Sequence, residues 1–488
     1  MKNLPQTVVL LFLAALTLSC SKDRDDEIKP AAEVEADLEI ENFIYSAMNI
    51  WYLYKPNVPA LADDRFDTQT ELNTYLAGFD SPEDLFYEGV KAPRPLDRFS
   101  IITPDYRELE RNFAGVSLNN GMDFSLARIA EGSDQVVGIV RYILPNTSAE
   151  AEGVERGMIF TSIDGTPLNV DNFSSLLAPT TYTITLGEIT PNGIEETNET
   201  ITLTKEEYTE NPIFITKTFD NIEGQKVGYL MYNSFTANFD AELNAAFADL
   251  KSEGVDALIL DLRYNGGGSV RTATDLSAMI TGQFAGEIFS TSVFNPQLQE
   301  IFENGSDAEE LNNRFNTEIT DGTAINSLNL TKLYVITTQS SASASELIIN
   351  GLDAYIEVRQ IGETTTGKFQ ASTTFYDNEA PNFSRNGVNP NHFYAIQPLI
   401  FTTANANGTT GFVEGLVPEV PVTERVSTFG VLGDANEPLL KAALDEIRGG
   451  RSFDNNQEQF IEMTILGESG MDSPTYQRMY VEAPQFKR

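Results

Sequence analysis

Between residues 226 and 362 the chain repeats one alternation: a short apolar run, a turn of small residues, then a stretch of helical periodicity. "KVGYLMYNSF" reads as a strand, and "FDAELNAAFADLKSEG" as an amphipathic helix closed by Gly254 just past its last turn. "VDALILDLRYNGGGSV" is a buried strand that runs into three glycines, with "TATDLSAMITG" helical after it. "KLYVITTQS" is the next strand and "ASELIINGLDAY" the next helix. Such a chain is driven toward an α/β core, because strands apolar on both faces need helices to cover them. A polar, Asn-rich stretch over 295–330 interrupts the alternation and reads as an insertion.

The remaining sequence divides around that core. Residues 34–110 carry helical spacing, as in "IENFIYSAMNIWYLY", and "DSPEDLFYEG" offers Ser81 or Asp80 as a helix cap with Pro82 in the first turn. Residues 111–206 change to short alternating strands and turns. The core occupies 207–430, and 431–488 reads as a C-terminal helical segment and tail.

The first residues, 1–19, have a lysine and then an apolar run from Val8 to Leu18, too short to span a bilayer comfortably, which reads as an export signal. It ends at Cys20, the only cysteine, and resembles a bacterial lipoprotein signal, in which that residue is acylated. The resemblance implies an exported protein, lipid-anchored to the bacterial cell envelope, with 20–33 as an acidic tether. Its acidic residues also resemble a signal for surface export.

Charge and composition narrow the chemistry. With 72 acidic against 32 basic residues the formal net charge is −40, which repels phosphate backbones, so no nucleic-acid partner is expected. A single histidine, His392, excludes His-rich metal sites and leaves any histidine-based triad one candidate; it reads as structural, and no metal or cofactor is expected. "GETTTGKF" nearly fits a phosphate-binding loop, but Phe369 stands where a magnesium-binding hydroxyl belongs and a strand follows.

The run "TTQSSASASELIINGL" then becomes informative. It places a strand end, a turn of small residues and a helix start in succession. Ser343 with Glu346 three residues on is a capping box, which by itself explains a serine there. A serine at a helix start also lies near free backbone N–H groups and the positive end of the helix, both of which favour an attacking oxygen. Such a nucleophile needs a base. "GETTTGKFQ" supplies Lys368, which serves only if burial lowers its pKa by several units.

Taken together these segments resemble the carboxyl-terminal processing (tail-specific) serine peptidases. "KVGYLMYNSF" and "ALILDLRYNGGG" match the strand pair before that family's active site, "SSASASE" its nucleophile motif, "GETTTGK" its lysine motif and "GLVPEVPV" its closing strand. Lys368 follows Ser343 by 25 residues, the family's interval. "FAGVSL" and "SAEAEGVERGMIFTSIDGTPL" resemble the carboxylate-binding loop and centre of a PDZ domain, which precedes the core in that family.

The resemblance implies a crotonase-like (ClpP/crotonase-type) α/β peptidase core, a PDZ-like β-rich domain and an N-terminal helical domain. It implies Ser343 as nucleophile, Lys368 as base, and an oxyanion hole from the amides of Gly267 and Ala344. A peptide carboxylate would bind the amides of Ala114, Gly115 and Val116. The family's lysine-orienting glutamine lies four residues after the lysine; here that position is Ser372, and the glutamine is Gln370. In a strand both share a face with Lys368, so either fits. The expected partners are proteins or peptides with exposed C-terminal tails. A catalytically inactive homologue that only binds such tails is the alternative, favoured by the displaced glutamine. A crotonase-like enzyme acting on acyl thioesters fits the export signal poorly.

Overall fold

In the computed structural model the described residues are 38–130, 132–191, 193–305, 308–450 and 463–481. The export signal, Cys20 and the tether lie outside them. The architecture is mixed α/β, with several sheets and an N-terminal helical layer.

The central sheet has strands in the order 213–222, 225–232, 257–261, 332–337, 357–362 and 420–421. The first pair is antiparallel and every later pair parallel. Side chains on a strand alternate between faces, and both faces here are apolar, so two cores form. Leu230, Leu258, Leu260, Leu333 and Val335 enter one core. Tyr229, Met231, Ile259, Tyr334 and Ile336 enter the other. Helices Asp240–Ser252, Val270–Thr281 and Ala344–Asp353 cover the first face, and helix Pro438–Ile447 covers the second. Gly254 takes φ +70°, as the closing position after a helix requires.

A second sheet, in the order 268–269, 479–480, 370–372, 399–405, 288–294 and 312–314, lies at the edge of the first core. The stretch 295–330 is no loose insertion. Leu298, Phe302, Phe315, Ile319 and Leu330 are buried in the first core, and 312–314 completes the second sheet. Polar composition concealed apolar residues spaced for anchoring.

The N-terminal helices shed independence in the same way. Helix Glu39–Trp51 buries Phe43, Ile44, Met48 and Trp51 in the first core. Trp51 packs tilted against Phe375 with ring centres 5.4 Å apart, and strand 101–103 pairs with 395–397. Ser81, not Asp80, caps the short helix Pro82–Asp84, accepting from the Asp84 amide at 3.1 Å.

A further antiparallel sheet runs 464–468, 122–128, 136–143, 159–163, 181–190 and 193–204, with its own apolar core around Phe124, Val140, Phe160 and Ile184. Strand 116–119 pairs with 206–209, which straddles the boundary expected at 206. The segment after 431 differs most from expectation. Its helix packs on the central sheet, but 464–468 and 479–480 are strands in two other sheets. Neither is long enough to carry a periodicity of its own; partner edges make them strands.

Candidate active site

Strand 332–337 ends at a serine-rich turn over the carboxyl ends of the parallel strands, where open α/β sheets place their ligands. Each serine has a distinct partner. Ser341 Oγ donates to the Leu262 carbonyl at 2.8 Å and Ser345 Oγ to that of Asn265 at 2.9 Å, tying the turn to the "NGGG" loop. Ser340 Oγ donates to Glu468 at 2.7 Å. Ser343 is fully buried and holds φ +67°, ψ −112°, a conformation that costs a non-glycine residue about 1–3 kcal/mol. The surrounding bonds fix it there: its amide donates to Glu346 at 2.8 Å, and its carbonyl accepts from Leu347 at 2.8 Å.

Glu346 does more than cap. Its buried carboxylate also accepts the Gly367 amide at 2.7 Å, the Lys368 amide at 2.9 Å and the Thr365 hydroxyl at 2.5 Å. One side chain therefore registers the serine turn against the lysine loop. Gly367 has φ +83°, and a Cβ there would lie 2.3 Å from the Val413 carbonyl oxygen, so glycine is required for the loop to close.

The result places Lys368 Nζ 3.1 Å from Ser343 Oγ. Nζ also donates to the Gln370 carbonyl at 3.0 Å and lies 5.1 Å from the centre of the Phe99 ring. Among the described residues no carboxylate is recorded within ion-pair distance of it. Burial, reinforced by Arg478, holds the ammonium well below its ordinary pKa; Glu346 and Asp97 oppose this and Arg98 adds to it. Arg478 is itself lowered to about 10 by burial, and so keeps its charge at neutral pH.

Several expected site residues behave differently. The Gln370 side chain turns away from Lys368 and donates to the Tyr54 hydroxyl at 3.1 Å; only its backbone carbonyl holds the lysine. Ser372 Oγ bonds Gln397 and the Met479 carbonyl, both at 3.1 Å, so neither candidate side chain orients Nζ. Ala344 sits buried at the first turn of its helix beside Ser343. Gly267 lies against Ser343, since a Cβ on it would come 2.5 Å from Ser343 Cβ, but its amide donates to Asn265 Oδ1 at 2.9 Å. The amides of Ala114 and Gly115 donate to Glu110 and Asn112 carbonyls and close helix Tyr106–Phe113, while Val116 pairs with Thr209. The "FAGVSL" segment is therefore partly a helix end. His392 pairs with Asp377 at 2.9 Å.

Phe99, Tyr54, Asn265 and Arg478 complete the surroundings without having been singled out in the sequence. Of these only Asn265, inside "NGGG", lay in a motif.

Residues 226–382 match the family model described as peptidase family S41, and residues 39–101 the one described as the peptidase S41 N-terminal domain. A carboxyl-terminal-processing protease of Picosynechococcus sp. is 26% identical over 306 residues, which is 62% of this chain and 64% of that protein. The match thus spans less than two thirds of that relative's length. One of Synechocystis sp. is 23% identical over 410 residues, 83% of each chain. The crystal structure of an S41 protease from Bacteroides fragilis superposes with a TM-score of 0.62 at 25% identity, over 83% of this chain and 97% of that one. Residues 226–382 and 39–101 thus carry the peptidase and N-terminal domains of family S41, and the chain is similar over most of its length to proteins named carboxyl-terminal-processing protease.

Proposed function

We propose that this protein is an endopeptidase that hydrolyses polypeptides with a Ser343/Lys368 dyad. One observation carries the reading: a fully buried lysine amine, with no carboxylate on it among the described residues, stands 3.1 Å from the oxygen of a serine held in strained backbone. A neutral Nζ accepts the Oγ proton as Oγ attacks a scissile carbonyl carbon. The resulting oxyanion takes the Ala344 amide and competes with Asn265 Oδ1 for that of Gly267. Collapse breaks the C–N bond, Lys368 passes its proton to the leaving amine, and an acyl-serine remains. Lys368 then deprotonates the water that attacks the acyl carbon, and returns that proton to Ser343 Oγ as the C–O bond breaks and the acid leaves.

The sheet order and its βα crossovers support a crotonase-like core, and the separate antiparallel unit a PDZ-like domain that recognises exposed tails. The leader ending at Cys20 supports export and a lipid anchor on the cell envelope. A tail-binding module without catalysis is not favoured, because the dyad is within hydrogen-bonding distance.

Incubating the purified protein with β-casein, an unstructured polypeptide, tests this reading. Cleavage that disappears in both Ser343→Ala and Lys368→Ala is expected. Cleavage surviving both substitutions would overturn the assignment.

A further inference from the structure

The segment 463–481, "MTILGESGMDSPTYQRMYV", belongs to neither the helical tail expected of it nor any one domain. Its first part, 464–468, runs antiparallel along the edge strand 122–128 of the PDZ-like sheet, with Thr464 opposite Arg128 and Glu468 opposite Ser125. The pairing continues where the Ser469 amide donates to the Phe124 carbonyl at 2.9 Å. Leu466 and Met471 pack on that domain's apolar core. Side chains reinforce the pairing: Arg141, which holds Asp123, also binds Glu468.

After a turn, the segment enters the active-site sheet. Met479 and Tyr480 pair in parallel with Gly268 and Ser269 on one side, and Tyr480 with Ser372 on the other. The Val481 amide donates to the Ser372 carbonyl at 3.0 Å. The Arg478 carbonyl oxygen would be 2.9 Å from a Cβ on Gly267, the same hypothetical atom that meets Ser343. Arg478 sends its guanidinium into the interior beside Lys368, where Nη1 donates to the Phe99 carbonyl at 2.7 Å. A cleft of about 980 Å³ is lined by residues of the segment together with Phe124, Phe173, Gly266 and Gly268.

An extended chain laid on a free sheet edge, then threaded as a strand past a nucleophile, is how a polypeptide substrate binds a protease. We propose that residues 463–481 occupy the track of the substrate polypeptide, acting as an intramolecular competitor that substrate must displace from both the PDZ-like edge and the slot beside Ser343. This inference rests on the peptidase reading for its consequence, but its geometry stands on strand pairing alone. It fits the complete burial of both Ser343 and Lys368. A competitor that fills the site most of the time divides the intrinsic substrate Kd by the fraction of open enzyme, and so weakens apparent binding by that factor.

Two measurements test it on the full chain. In Ser343→Ala protein, saturating β-casein should speed amide hydrogen exchange at residues 464–468 and 479–481; unchanged exchange would overturn the proposal. In otherwise native protein, Leu466→Asp with Met471→Asp should raise kcat/KM on β-casein at least about fivefold, through KM. A synthetic peptide of residues 463–481 should reverse the gain. A folded double variant whose kcat/KM is unchanged or lower would contradict it. The exchange experiment needs no catalysis, so it separates the two failures. Exchange that responds without any cleavage defeats the peptidase reading and retains the track, whereas Ser343-dependent cleavage with unresponsive exchange defeats the track.

Discussion

Two cations, Arg263 and Lys368, lie fully buried close to the serine turn, and they differ in every other respect. Arg263 is surrounded by acids: it binds Asp261 at 2.7 Å, Glu437 at 2.7 Å and Glu424 at 3.0 Å, and these hold its charge firmly. Lys368 faces a serine hydroxyl, a backbone carbonyl and a phenyl ring, and burial drives its pKa down. Burial alone therefore decides nothing about charge. Partners decide, and the fold supplies them to the structural cation while withholding them from the catalytic candidate.

The sharpest way to break this contrast is to make the two sites alike. Lys368→Arg puts a permanently charged group beside Ser343, and Lys368→Ala removes the proposed base. Each should lower kcat/KM by about 10⁴ or more, as Ser343→Ala should, when product formation from β-casein is followed. Removing the other cation should cost structure instead. Arg263→Met leaves Asp261 and Glu437 buried and unpaired, with an expected loss of about 3–5 kcal/mol read from urea unfolding. Glu346→Gln sits between these. It keeps the side chain's length but replaces one carboxylate oxygen, the acceptor for two of its four donors, with an NH2, and the resulting slack between turn and loop should lower kcat on the order of 10²-fold, with KM little changed.

The smallest effect has the most informative sign. Lys368 has a folded pKa below its unfolded value of roughly 10.4, so the unfolded chain binds more protons between the two. Native Lys368 then costs stability in full below its folded pKa, and the cost fades as pH rises toward the unfolded one. Lys368→Met should accordingly raise Tm by a few degrees near neutral pH, by an increment that shrinks as pH climbs toward 10. A variant less stable than the parent at every pH would mean that the hydrogen bonds of Nζ outweigh its desolvation.

The same contrast explains what the sequence made legible. Ser343, Glu346 and Lys368 lie in two short motifs, and the strand–turn–helix pattern around each dictates its position locally. The βα alternation of 226–362 announced the central sheet for the same reason. What stayed hidden came from far along the chain. Phe99 and Arg478 reach Lys368 from opposite ends of the sequence, and nothing in "DRFS" or "YQRMY" signals a role at a lysine. Glu437, which holds Arg263, reads only as the residue before a helix. The strands 464–468 and 479–480 were invisible because an edge partner creates them. That the Gly267 amide donates to Asn265 Oδ1 across a two-residue turn was equally hidden, a choice that backbone pattern does not reveal.

The pH dependence of kcat/KM, measured for the parent and for Lys368→Ala, tests the central claim most directly. A neutral buried amine predicts an acid limb governed by one ionisation, with a midpoint well below 10.4, which vanishes in the variant along with the activity. Activity that appears only as pH approaches 10.4, or an acid limb that persists in Lys368→Ala, would contradict it.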